Sequence, residues 1–286
     1  MKKILSICLI SVILTGCFHS EIGRTEPAET ELNTTTESTV LPSDPTAPPT
    51  EAPTLPATEP PTEPVLYLDK EAGIYQENFQ DEIENKDMDY YLFIPENATQ
   101  EMPLVVFLHG DGEVNQIEKL ENNSLMSSVW EIYGDNFPFI AISPCTRAKS
   151  WIDWYIPRTR KYLIESVAET YNVDTDHIII TGHSRGAVGV WHMVNKHGDY
   201  FSAAVPISCY AWEKLKMDTC TKVPIRAFCG TYEEFERKYS GTMEYQISQI
   251  SSNGGDAKFT LFSGLKHAET PAAAYTKELF EWMLSQ

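Results

Sequence analysis

Residues Ile178-Ile179-Ile180-Thr181-Gly182-His183-Ser184-Arg185-Gly186 pass from an apolar run, through a Gly-x-Ser-x-Gly pentapeptide, into a stretch of helical spacing that continues to Lys196. A strand that turns at once into a helix leaves no room for side chains beside the serine, which explains the flanking glycines. The turn presents the serine hydroxyl at the helix N-terminus, the arrangement of a nucleophile elbow. Working outward, other short and nearly continuous apolar runs lie at residues 90–94, 104–108, 137–142, 203–207, 225–228 and 258–262. Such runs predict strands buried on both faces. Helical spacing occupies residues 158–171, 186–196, 242–252 and 272–284. Strand alternating with helix predicts an α/β fold, a mainly parallel sheet flanked by helices. In such sheets the ligand site lies beyond the carboxyl ends of the strands.

The chain of 286 residues carries 41 acidic and 22 basic side chains, a net charge of -19, with 42% hydrophobic residues. Its 14 Tyr, 12 Phe and 6 Trp are enough for a sizeable core, so a wholly disordered chain is excluded. Nucleic-acid binding is disfavoured because neutralising phosphates needs a basic face. No Cys-x-x-Cys or clustered His spacing suggests a metal, and no cofactor motif is present.

A serine hydroxyl is a weak nucleophile unless an imidazole takes its proton and a carboxylate holds that imidazole. In the order expected for this strand–turn–helix context the acid and then the histidine follow the serine. Of seven histidines, His267 stands downstream of Ser184 in a loop after a late apolar run, within Gly264-Leu265-Lys266-His267-Ala268, and is read as the base. His192 and His197 fall on the helix leaving the turn and are read as structural, and His183 is fixed beside the serine. The acid should follow the run at 225–228, where Gly230-Thr231-Tyr232-Glu233-Glu234 offers Glu233 and, as its alternative, Glu234. An oxyanion would be held by the backbone N–H of Arg185 and by the loop His109-Gly110-Asp111-Gly112, with Asp111 the expected donor. Trp151 and Trp154 follow the run at 137–142. They offer an aromatic wall for a phenolic or sugar group, or simply pack against the helix beyond them.

The chain begins Met1-Lys2-Lys3, followed by an apolar run at 4–14 and Leu14-Thr15-Gly16-Cys17. The run is too short for a span that needs roughly 20 helical residues and reads as a secretion signal. Its end resembles the lipobox of bacterial lipoproteins, which implies cleavage before Cys17, acylation of that cysteine and anchoring to the cell membrane. Residues 18–64 are rich in Thr, Pro and Glu and include ten of the 18 prolines. They have almost nothing to bury and read as a disordered tether with a reach on the order of 100 Å. Residues 65–286 are expected to form one acidic domain, as a monomer. Its cysteines, Cys145, Cys209, Cys220 and Cys229, allow three full disulfide pairings, Cys209 with Cys220 being nearest in sequence, or buried free thiols.

The run from Asp174 through Gly186, with Val190-Trp191, Phe201-Ser202-Ala203-Ala204-Val205-Pro206-Ile207 and Pro103-Leu104-Val105-Val106-Phe107-Leu108-His109-Gly110, resembles secreted bacterial α/β-hydrolases of the phospholipase/carboxylesterase and feruloyl-esterase-like group. So does the closing stretch from His267 to Gln286. The resemblance covers nearly all of residues 90–286. It implies an α/β-hydrolase fold, a serine carboxylesterase activity, Ser184, Glu233 and His267 as triad, and Asp111 and Arg185 as oxyanion donors. The family usually has Met-Gly-Gly after the serine, where this chain has Arg185-Gly186-Ala187, and Asp where Glu233 stands. Arg185 thus brings a side chain that either favours an anionic substrate or points into solvent. Secretion and the tether favour an extracellular ester, such as acylated or feruloylated plant polysaccharide. A serine peptidase of prolyl-oligopeptidase-like type and a non-catalytic surface module on a hydrolase scaffold are the alternatives.

Overall fold

The apolar runs pair into one eight-stranded sheet in the computed structural model, which describes residues 70–81, 86–98, 101–148, 150–152, 155–171, 173–232 and 236–286. The strands are β1 (Gly73–Asp81), β2 (Lys86–Ile94), β3 (Leu104–Leu108), β4 (Ile140–Pro144), β5 (Ile178–His183), β6 (Ala203–Ile207), β7 (Ile225–Gly230) and β8 (Ala257–Phe262). Their spatial order is β1-β2-β4-β3-β5-β6-β7-β8. All neighbours from β4 to β8 pair in parallel, whereas β2 is antiparallel to both β1 and β4. The signal segment 1–17 with Cys17, the tether 18–64 and the expected start of the domain at Val65 lie outside the described residues.

The helices are α1 (Ser124–Tyr133), α2 (Tyr155–Arg158), α3 (Glu165–Thr170), α4 (Arg185–His197), α5 (Met217–Cys220), α6 (Glu236–Ser252), α7 (Thr270–Ala274) and α8 (Lys277–Met283). A π-helical segment, Thr159–Ile164, joins α2 to α3. Side chains alternate across each strand, so β3 feeds two cores. Leu104, Val106 and Leu108 pack on one face with Val190 and Trp191 of α4 and Met243 and Ile247 of α6. Val105 and Phe107 pack on the other with Leu125 and Val129 of α1 and Phe280 and Met283 of α8. At about 1.5–3 kcal/mol for each large side chain buried, these two layers are the main force holding helices to sheet.

Among the departures from the sequence expectation, which include the short helix α5 and the division of the stretch 158–171 into α2, a π segment and α3, three have a clear physical reason. Strand β1 is an edge ribbon whose residues alternate between half-buried and exposed, so it carries no continuous apolar run. Helix α1 stands where no helix was expected; its signal is at its ends, where Asn123 Oδ1 accepts from the N–H groups of Leu125 and Met126 and Gly134 turns the chain at φ 61°. The helix expected at 272–284 is broken into α7 and α8. Tyr275 leaves the helical conformation to bury its ring, its hydroxyl 2.8 Å from Thr181 Oγ1 in β5, and Thr276 caps α8 by accepting from Leu279 N. The four domain cysteines are buried and form no disulfide.

Candidate active site

Strand β5 delivers Ser184 to the carboxyl edge of the sheet, between β3 and β6. Ser184 is the N-cap of α4 with φ 57° and ψ -118°, a conformation that L residues adopt at a cost of order 1–3 kcal/mol. Its N–H donates to Ile207 O at 2.9 Å, and its carbonyl accepts from Ala187 N at 3.0 Å. The turn fits because Gly182 and Gly186, two residues to either side of Ser184, have no side chains. A Cβ on Gly186 would lie 1.8 Å from the Leu108 carbonyl oxygen, and one on Gly182 would lie 2.7 Å from the same atom.

The loop after β3 meets this turn. A Cβ on Gly110 would already lie 3.3 Å from Ser184 Cβ, so backbone and serine are in contact. His109 beneath it is fully buried. Its Nδ1 donates to Gly110 O at 2.6 Å and its Nε2 accepts from Thr146 N at 3.0 Å, an arrangement that requires the neutral Nδ1–H tautomer. Burial pushes its pKa down to about 4. The Trp151 indole N–H donates to His109 O at 3.0 Å. Trp151 is 1% exposed and cannot form a wall for substrate. It packs instead against His109, with ring centroids 5.0 Å apart. Trp154 lies outside the described residues.

His267 arrives from the loop after β8. His183 Nε2 donates to the His267 carbonyl at 3.0 Å, and the two rings stand 4.5 Å apart. The residue beside Ser184 therefore fastens the loop that carries the expected base. The segment after β7 is laced to the same loop. Thr231 N donates to Phe262 O and Tyr232 N to Leu265 O, both at 2.9 Å, and Gly264 N donates to Thr231 Oγ1 at 2.7 Å. A Cβ on Gly230 would lie 2.4 Å from Leu265 O, so no larger residue fits where the two loops touch. Glu233 and Glu234 follow this contact in sequence but lie outside the described residues.

The Arg185 side chain is engaged within the protein rather than extended into solvent. Its Nε and one terminal nitrogen donate to the two carboxylate oxygens of Asp111 at 2.7 and 2.8 Å. Its guanidinium lies over the ring of Trp212 at 5.0 Å. Trp212 was not singled out by sequence, since a lone tryptophan in a loop carries no pattern. His192 is structural as expected. It is 4% exposed and its Nδ1 lies 2.5 Å from a Glu213 carboxylate oxygen.

Solved structures share this arrangement of strands. A thermostable esterase superposes with a TM-score of 0.63 at 24% identity, over 74% of this chain and 63% of that one. The chain has the α/β-hydrolase fold. Other solved structures that superpose on it are the feruloyl esterase module of Clostridium thermocellum (TM-score 0.57, 15% identity, 73% of this chain and 88% of that one) and an S-formylglutathione hydrolase of Agrobacterium tumefaciens (TM-score 0.55, 15% identity, 74% and 94%). By sequence, 125 residues are 23% identical to a bifunctional acetylxylan esterase/xylanase of Neocallimastix patriciarum. That match covers 42% of this chain and only 18% of the relative. No protein-family model matches the chain.

Proposed function

We propose that this α/β-hydrolase is a secreted, lipid-anchored serine carboxylesterase that cleaves carboxylic esters through an acyl-enzyme. The observation that carries the reading is the strained backbone of Ser184 at the end of β5, with the Gly110 loop against it and the His267 loop bonded to its neighbour His183. In the reaction, Ser184 Oγ attacks the ester carbonyl carbon while His267 takes its proton. The backbone N–H groups of Asp111 and Arg185 donate to the oxyanion that develops. The intermediate collapses, the alcohol leaves with the proton from His267, and the acyl group remains on Ser184. Water, activated by His267, then attacks the acyl-enzyme and releases the acid.

Glu233 is assigned to hold the His267 imidazole, with Glu234 as the alternative. The bonding of Thr231 and Tyr232, the residues just before Glu233 in sequence, to the loop that carries His267 supports this. The feruloyl esterase and acetylxylan esterase likenesses support acyl or feruloyl groups on plant polysaccharide as substrate. Acylation at Cys17 and the tether 18–64 would hold the domain off the membrane.

The test uses residues 65–286, which contain the whole sheet and both cores, on a panel of short-chain, long-chain and feruloyl esters. Ser184→Ala and His267→Ala should each lower kcat by a factor of about 10⁴ or more with circular dichroism unchanged. Full activity in either variant would overturn the assignment. Glu233→Gln should cost far more than Glu234→Gln, and the reverse result moves the acid by one residue.

A further inference from the structure

We propose that Asp111, Arg185 and Trp212 form a clamp that positions the two donor-bearing segments of the site and cancels their charge, so that the site selects esters that are neutral beside the scissile bond. The inference rests on the reading of Ser184 as nucleophile and deepens it. Asp111 opens the 3-10 turn Asp111–Glu113 after β3, and Arg185 is the first residue of α4. These are the segments whose backbone N–H groups are assigned to the oxyanion, and they are 74 residues apart in the chain.

A guanidinium fork on both oxygens of one carboxylate has a single good geometry, so it sets distance and orientation together. Here both bonds are short, at 2.7 and 2.8 Å. The third member holds the free face of the fork. Trp212 is 51% exposed, unusual for so large an apolar ring, yet its segment is firmly fastened. Ala211 N donates to Gln246 Oε1 and Gln246 Nε2 donates back to Ala211 O, both at 2.9 Å. The Arg185 guanidinium therefore meets the Asp111 carboxylate at its edge and the Trp212 ring on one face, a cation–π contact to a residue whose neighbour is itself anchored.

Charge completes the argument. An unpaired carboxylate at Asp111 would repel the oxyanion forming beside its own N–H. An unpaired guanidinium at Arg185 would draw anionic substrates to the mouth of the site. Paired, neither field remains. Exposed ion pairs add little to stability, and the Arg185 and Asp111 side chains are 24% and 46% exposed, so removing the pair should leave the fold intact and change catalysis.

The experiment measures kcat and KM for a neutral ester, 4-nitrophenyl butyrate, and an anionic one, mono-4-nitrophenyl succinate. Arg185→Met should lower kcat on the neutral ester about tenfold, with a smaller change in KM, through displacement of the donors. Asp111→Asn should do likewise and should raise the anionic-to-neutral ratio of kcat/KM about tenfold, since the mouth of the site then carries one negative charge fewer. The double variant should be no worse than the poorer single one, because the pair acts as a unit. Trp212→Phe should retain more kcat than Trp212→Ala. Should Arg185→Met unfold, the ratio in Asp111→Asn, a change of one atom on a half-exposed side chain, still decides the matter. Losses that add in the double variant, or an unchanged ratio in Asp111→Asn, overturn the clamp while leaving the esterase reading in place. A wild-type protein inert on both esters and on the wider panel overturns that reading and the clamp with it.

Discussion

Ser184 and His109 show how single residues pay for a site with local cost. Ser184 keeps a backbone that glycine would adopt more easily, a cost that the proposed nucleophile role would explain. His109 gives up its charge. Burial holds its pKa near 4, well below the 6.5 or so of an unfolded histidine. Above about pH 6.5 neither state binds the proton, and the buried imidazole carries no penalty. Between about 6.5 and 4 only the unfolded chain is protonated, so stability falls with pH, by about 3 kcal/mol in all, and below about 4 this group adds no further loss. Protonation of the native state would also remove the Nε2 acceptor that Thr146 N uses. Urea unfolding of wild type and His109→Gln should therefore show a stability difference that shrinks as pH falls through this window. A difference that stays constant from pH 7 to pH 4 would refute the assignment of a buried neutral imidazole.

At the scale of the element, the β5–α4 turn works by close approach of backbones. Leu108 O of β3 sits where a Cβ on Gly186 would have to be, at 1.8 Å, and the atom in the way is main chain that cannot swing aside. Gly186→Ala should thus fail to give a cooperatively folding protein, or lower the thermal midpoint far below that of wild type. Gly112, in the loop facing the same turn, has nothing within 4 Å of its Cβ position, and Gly112→Ala should melt close to wild type. Equal midpoints for the two variants would show that the turn is looser than the close approach requires. The break between α7 and α8 belongs to the same scale. Thr181 Oγ1 donates to Val205 O, which leaves the Tyr275 hydroxyl to donate to Thr181. A helical Tyr275 could not reach that site, so burial of one ring overrode the helical period of the whole stretch.

For the whole molecule, the stabilising links among the described residues are non-covalent. Cys145, Cys209, Cys220 and Cys229 are buried at 3%, 5%, 0% and 0% exposure and form no disulfide, although the expected compartment is oxidising. Residues 65–286, unfolded in guanidinium without reductant, should titrate four thiols, and the thermal midpoint should not change with reductant. Two thiols would mean a disulfide that the fold does not contain.

The strands, the turn at Ser184 and the place of His267 were legible in the chain because each depends on neighbours in sequence. Apolar runs make buried strands, glycines permit the turn, and chain order places the later loops at the carboxyl edge. The edge ribbon β1 and the capped helix α1 were not, since an exposed strand needs no apolar run and a cap is only a residue or two. The surroundings of the serine belonged to tertiary structure alone. Trp151 meets a carbonyl 42 residues away and Arg185 a carboxylate 74 residues away. Strand order decides those meetings, so whether an aromatic ring faces substrate or core, and whether a charge is free or cancelled, is settled only when β3, β4 and β5 lie side by side.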